Sequence, residues 1–178
     1  MLFSAKVPDK LNVSIIKPIL KDPNKNTDDL NNIRPIYIST CFAQILERLI
    51  LILSSGLKIS QVNQLGFKEK TSCNHALLTL KETILNYTEN KTGIKIASLD
   101  AEKAFDKVWR DALFFKIMKK MDQTLWYILK IYYDSSQGTI DLGKGLLSEL
   151  FLIKVGVKQG GILSPHLFEN KIDDLIYE

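Results

Sequence analysis

Apolar and polar positions along this chain follow first one period and then another. From Thr40 to Leu53, residues Phe42, Ile45, Leu46, Leu49, Ile50 and Leu53 recur every three or four positions, which predicts an amphipathic helix. Thr40 is its expected N-cap, and Gly56 a stop just beyond its end. A second helix is expected after Ser72, with Leu77, Leu80, Ile84 and Tyr87 forming its buried stripe and Asn90 to Gly93 ending it. Residues 111–121 predict a third, with Leu113, Phe114, Ile117 and Met121 on one side, and residues 125–133 a fourth. A last helix is expected over 165–177. Strand candidates lie at 13–20, cut at Pro18, and at Ile36 to Ile38, opened by Arg34-Pro35. Residues 94–100 form a further candidate. So do 139–142 and 149–155, joined by the Gly143–Gly145 loop. Between the first two strands, 21–32 is turn chemistry with little to bury. Helices and strands interleave irregularly, which predicts an α+β or mixed α/β fold without repeats.

Composition narrows this only slightly. The 178 residues are 46% hydrophobic and 25% charged, which argues against disorder, collagen-like repeats and disulfide scaffolds and predicts one domain. The longest apolar run is Leu49 to Leu53, far short of the roughly 20 residues a membrane span needs. Ser4, Lys6, Asp9 and Lys10 follow the first residues at once, so no secretory leader and an intracellular location, nuclear or cytoplasmic, are expected. Cys41 and Cys73 lack metal-ligand spacing. Charge is uneven. Residues 1–120 hold 19 basic and 12 acidic side chains, net +7, whereas 121–178 hold 5 and 8, net −3. A basic first part is compatible with a phosphate-bearing partner, although charge alone favours an ordinary mixed, soluble surface.

Two segments carry candidate chemistry. In Leu99-Asp100-Ala101-Glu102-Lys103-Ala104-Phe105-Asp106, a carboxylate ends a strand and a small-residue turn follows. Such a carboxylate can present oxygen to Mg²⁺, and the turn can bring backbone N–H groups to a polyphosphate. Taken alone, a strand-terminal Asp is more often a turn former or helix cap. In Gly156-Val157-Lys158-Gln159-Gly160-Gly161-Ile162-Leu163-Ser164-Pro165, three glycines let backbone lie flat against a ligand, and Gln159 can both donate and accept. This loop matches neither the P-loop nor the dinucleotide fingerprint.

Taken together and in order, the motifs resemble the reverse transcriptase domain of non-LTR (LINE-type) retrotransposons, from about Ile15 to about Leu175. Lys21, Arg34-Pro35-Ile36 and Gln44-Ile45-Leu46-Glu47 are similar to the fingers pattern "K…RPI…KILE". Gly66-Phe67-Lys68 with Thr71-Ser72, and Ala76-Leu77 after them, resemble "GFR…ST". Leu99 to Asp106 resembles the first palm motif, and Gly156 to Phe168 resembles "GVRQGGxLSPxLF".

The resemblance implies a right-hand polymerase fold of α+β class, with fingers helices and an incomplete antiparallel palm sheet. Fingers would occupy about 1–90 and palm about 91–178. It implies RNA-directed DNA synthesis with an RNA template, a DNA primer, a dNTP and Mg²⁺ or Mn²⁺. Asp100 would be the metal ligand and catalytic carboxylate. Lys21 and Arg34 would hold phosphates, with Ala104 in the turn facing the triphosphate. Phe105 would lie under the sugar, or be a core aromatic, or both. Gln159 and Gly160 would line the nucleotide and template base. Lys68 and Lys70 would meet template backbone.

The family also needs a third motif, [FY]xDD. Asp173-Asp174 is rejected for that role because it falls inside a helix trailing the second motif, and Asp28-Asp29 because it lies in a polar loop. The chain is therefore expected to stop short of that motif and to lack the thumb. A catalytically dead binding module or a relic is the rival reading. His75 and His166 are expected as polar caps or surface residues, and Trp109 and Trp126 as core.

Overall fold

The computed structural model describes residues 7–58, 63–68 and 70–176. Strands β1 (Val13–Leu20) and β2 (Ile33–Ser39) form an antiparallel hairpin, and β1 runs unbroken through Pro18. Pro18 sits opposite Pro35, so no backbone donor is missing a partner at that rung. The connecting loop is not merely solvated. Asn32 is buried, its amide nitrogen donating to the carbonyls of Asp22 and Asn26 at 2.8 and 3.2 Å while its oxygen accepts from the Asp22 N–H. One side chain thus replaces the contacts a tight turn would make.

Strand β3 (Gln137–Gly143) lies parallel to β1, with Val13 opposite Gln137 and Ile16 opposite Ile140. Two short strands, β4 (Leu146–Leu147) and β5 (Phe151–Leu152), pair with β3 antiparallel. The sheet is therefore mixed, which corrects the expected antiparallel palm sheet. Parallel pairing requires a long crossover, and more than a hundred residues carrying most of the helices separate β1 from β3. The α+β class itself holds.

Helices α1 (Cys41–Leu53), α3 (Arg110–Ile117), α4 (Gln123–Asp134) and α5 (Ser164–Ile172) supply the core. Leu46, Ile50, Leu113, Phe114, Ile117, Ile128, Leu129, Leu163 and Leu167 are buried together there. Thr40 caps α1 through its hydroxyl, accepting from the Ala43 N–H. The buried stripe of α1 is Ala43, Leu46, Glu47 and Ile50, whereas Phe42, Ile45, Leu49 and Leu53 face outward. The expected apolar face is thus rotated toward a buried glutamate. Gly56 falls within a 3-10 turn, Ser55–Lys58, that continues the chain.

Helix α2 (Cys73–Glu89) begins at the expected Ser72, where Ser72 and His75 form a reciprocal capping box. Its expected buried stripe is not buried: Leu77, Leu80 and Tyr87 are exposed, because no described element covers that side. Residues 94–100 likewise form no strand, and Leu99 is fully exposed. A strand exists through its ladder, and no described strand pairs with this one.

Trp126 packs at the core edge and donates to the Phe114 carbonyl at 2.8 Å. Trp109, expected in the core, is 64% exposed at the start of α3. His166 pairs with Glu169 at 3.1 Å. After α5 a 3-10 turn spans Asp173–Ile176; the expected end at Tyr177 lies outside the described residues. Among the described residues no helix is long and apolar enough to cross a membrane.

Candidate functional site

Glycine geometry brings the two motif segments together. Gly156 has φ +81°, and a Cβ there would come within 2.7 Å of the Asp106 carbonyl oxygen and 2.9 Å of its Cα. Only glycine permits this approach. Across it, the Gly156 N–H donates to Val108 at 3.0 Å and the Val157 N–H to Phe105 at 2.8 Å. Further along, the Tyr37 N–H of β2 donates to the Gln159 carbonyl at 2.8 Å. The 101–107 turn, the glycine loop and the hairpin are thereby stitched into one wall.

That wall encloses a cavity of about 470 Å³ lined by Lys21, Arg34, Asp100, Ala104, Phe105 and Gln159, with Ile33, Ala101, Glu102, Lys103 and Asp106. Six of the nine residues singled out from sequence thus meet in one place, although they come from positions 21 to 159. The other three do not line it. Gly160, at φ +106°, lies against the Tyr37 carbonyl. Lys68 and Lys70 sit on the 66–71 loop, and Thr71 Oγ1 donates to the Lys68 carbonyl at 2.7 Å. Phe67 of that loop contacts the Phe105 ring edge-on at 6.0 Å, so the loop abuts the cavity.

Phe105 also stacks on Phe168 at 4.7 Å, joining the cavity wall to the core. Lys21 donates to the Asn31 carbonyl at 2.9 Å, and Lys103 to the Asn31 side chain at 2.7 Å. Asn31 therefore gathers two ammonium groups at the cavity rim. Lys107 lies 3.2 Å from Glu102 and lowers the pKa of that exposed carboxyl. Asp100 is exposed, and among the described residues no cluster of three ligating side chains surrounds it. A divalent ion takes about six oxygens, so the described side chains alone do not complete a metal centre. Asp173 and Asp174 are occupied elsewhere, by Lys120 at 3.3 Å and Lys116 at 2.9 Å.

Sequence reasoning missed the layer beneath. Glu47 is fully buried; one carboxylate oxygen accepts from the Tyr132 hydroxyl at 2.7 Å and the other from the Ile162 and Leu163 N–H groups at 2.7 and 3.2 Å. Lys158 is also buried, donating to Asn12 and, at 3.3 Å, to the Tyr132 hydroxyl. Burial pushes its pKa down to about 8, with Glu47 opposing the shift. Arg110 spends its guanidinium on carbonyls: Gly156 at 2.7 Å, Tyr133 at 2.7 Å and Ile153 at 2.5 Å. Burial lowers its pKa as well, and raises those of Tyr132, Tyr133 and Tyr37. The available signal was Glu47 in register with Ala43 and Ile50 on one helix face.

Comparison with known proteins fits this arrangement. A family model described as reverse transcriptase (RNA-dependent DNA polymerase) matches residues 20–178. The chain belongs to the reverse transcriptase family. It is 29% identical over 154 residues to the RNA-directed DNA polymerase from mobile element jockey of Drosophila funebris, covering 84% of this chain and 17% of that protein. It is 27% identical over 165 residues to the probable RNA-directed DNA polymerase from transposon X-element of Drosophila melanogaster, covering 90% and 18%. It is 30% identical over 148 residues to the Pol polyprotein from the type-1 retrotransposable element R2 of Popillia japonica, covering 82% and 21%. The chain spans about a fifth of the length of the curated relatives it matches.

Proposed function

We propose that this chain forms the fingers, about residues 1–90, and the first part of the palm, about 91–178, of a right-hand polymerase. The reaction it serves is RNA-templated addition of deoxynucleotides to a DNA 3′-end. One observation carries the reading: a single cavity lined by Lys21, Arg34, Asp100, Phe105 and Gln159, drawn from four separate stretches of chain. Lys21, Arg34 and Lys103 share that cavity with Asp100, Glu102 and Asp106, cations for a triphosphate beside carboxylate oxygens for a divalent ion.

In this reading Lys21 and Arg34 hold the phosphates, and backbone at Ala104 faces them. Phe105, fixed by Phe168, supports the sugar. Gln159 and Gly160 meet the nucleotide and template base, and Lys68 and Lys70 the template backbone. Asp100 would be a ligand of Mg²⁺ or Mn²⁺, which would supply charge neutralisation at the phosphates.

Equilibrium binding of a dNTP with Mg²⁺ tests the reading. Arg34→Ala should weaken binding about tenfold, the loss of one charge-assisted contact. Wild-type protein indifferent to dNTP, or binding untouched by Arg34→Ala, would overturn it. The 178-residue chain alone should give no primer extension. Salt-dependent binding of a primer–template, with a slope reduced in Lys68→Ala, would support the template contact.

A further inference from the structure

We propose that Asp106 is a positioning residue that sets which end of the Gln159 amide faces the cavity. The inference rests on the nucleotide-binding reading and adds a residue to it. Asp106 Oδ1 lies 2.9 Å from Gln159 Nε2. A carboxylate only accepts, so the contact requires the NH₂ end of the amide and turns the Gln159 oxygen away from Asp106. No other described side chain bonds that oxygen. Gln159 lines the cavity, so its oxygen is offered to a ligand there as an acceptor, beside the one N–H that the Asp106 contact does not use.

Both partners are held by backbone rather than by chance rotamers. The Asp106 N–H donates to the Lys103 carbonyl at 3.0 Å, and Gly156 packs directly on the Asp106 backbone. On the other side, the Gln159 carbonyl accepts from Tyr37. Asp106 also stands on the wall that the cavity shares with a neighbouring one of about 330 Å³, where Tyr37, Lys103 and Lys158 are its polar neighbours. An amide without this partner would present its donor or its acceptor end with little preference. The ligand matched by the fixed arrangement is a nucleoside triphosphate whose sugar hydroxyl or base amino group donates to Gln159.

The test is a double-mutant cycle on the full 178-residue chain, reading dGTP binding with Mg²⁺. Asp106→Ala should weaken binding five- to tenfold, and Gln159→Ala by a similar factor. If Asp106 acts through Gln159, adding Asp106→Ala to Gln159→Ala should cost less than a further twofold. Asp106→Asn keeps an acceptor and should stay within about threefold of wild type. A direct readout accompanies this: the Gln159 side-chain NH₂ resonances should shift in Asp106→Ala and largely return in Asp106→Asn. Multiplicative losses in the double variant, Asn as damaging as Ala, or unmoved resonances would each overturn the proposal. Wild-type binding that ignores both Arg34→Ala and Gln159→Ala would sink the nucleotide reading itself, while the resonances still decide the amide orientation.

Discussion

The two motif segments are built on opposite principles. The glycine loop from Gly156 to Leu163 rests on a buried platform of Glu47, Tyr132, Lys158 and Arg110, whose polar atoms bond one another or the loop backbone. The stretch from Ile94 to Asp100, which delivers the candidate carboxylate, has no ladder and mostly exposed side chains. The glycine loop is preformed by interactions within the chain. The Asp100 stretch has no comparable platform among the described residues. Within one cavity, one wall is therefore braced by buried polar contacts and the other is not.

The largest effect should come from removing the centre of the platform. Glu47→Ala strips the Ile162 and Leu163 N–H groups and the Tyr132 hydroxyl of their acceptor, and should cost about 3–5 kcal/mol in chemical denaturation. Glu47→Gln should recover part of that loss. Leu129→Ala should cost about 2–5 kcal/mol, since the side chain is fully enclosed. Arg110→Ala should cost about 2–4 kcal/mol by orphaning several carbonyls, and Arg110→Lys, which cannot fork, should repair little of it.

Lys158 supplies a pH signature of the same platform. Its folded-state pKa is depressed to about 8, so between roughly pH 8 and pH 10 the unfolded chain binds more protons. Stability should therefore rise with pH over that window, at up to about 1.4 kcal/mol per unit. Above about pH 10 the raised pKa values of Tyr132 and Tyr133 act in the opposite sense, because unfolded tyrosines ionise first. Melting temperature against pH should show that maximum, and Lys158→Met should flatten the rising arm. The smallest effect belongs to the other wall: Leu99→Ala should change stability by less than about 0.5 kcal/mol. A large destabilisation there would erase the contrast between the two walls.

Helix positions were legible because a 3.6-residue period survives whatever the helix packs against; α1, α3, α4 and α5 each fall where periodicity places them. Which face is buried was less so. In α1 the stripe turns toward Glu47, and in α2 the expected stripe stays largely exposed among the described residues, because periodicity states a preference and packing decides it. The motif residues Lys21, Arg34, Asp100, Ala104, Phe105 and Gln159 were legible as a set and share one cavity. Asp106 was visible only as a motif letter, since its partner lies 53 residues away.

The sequence by itself determined the element order, the helix caps at Thr40 and Ser72 and the family, since each depends on neighbours along the chain or on motif order. Only the tertiary structure decided that β1 and β3 run parallel, that Glu47, Lys158 and Arg110 are buried, and that 94–100 meets no partner strand among the described residues. Strand partners and buried charges are settled by groups tens of residues apart meeting without water between them. No local pattern encodes that encounter.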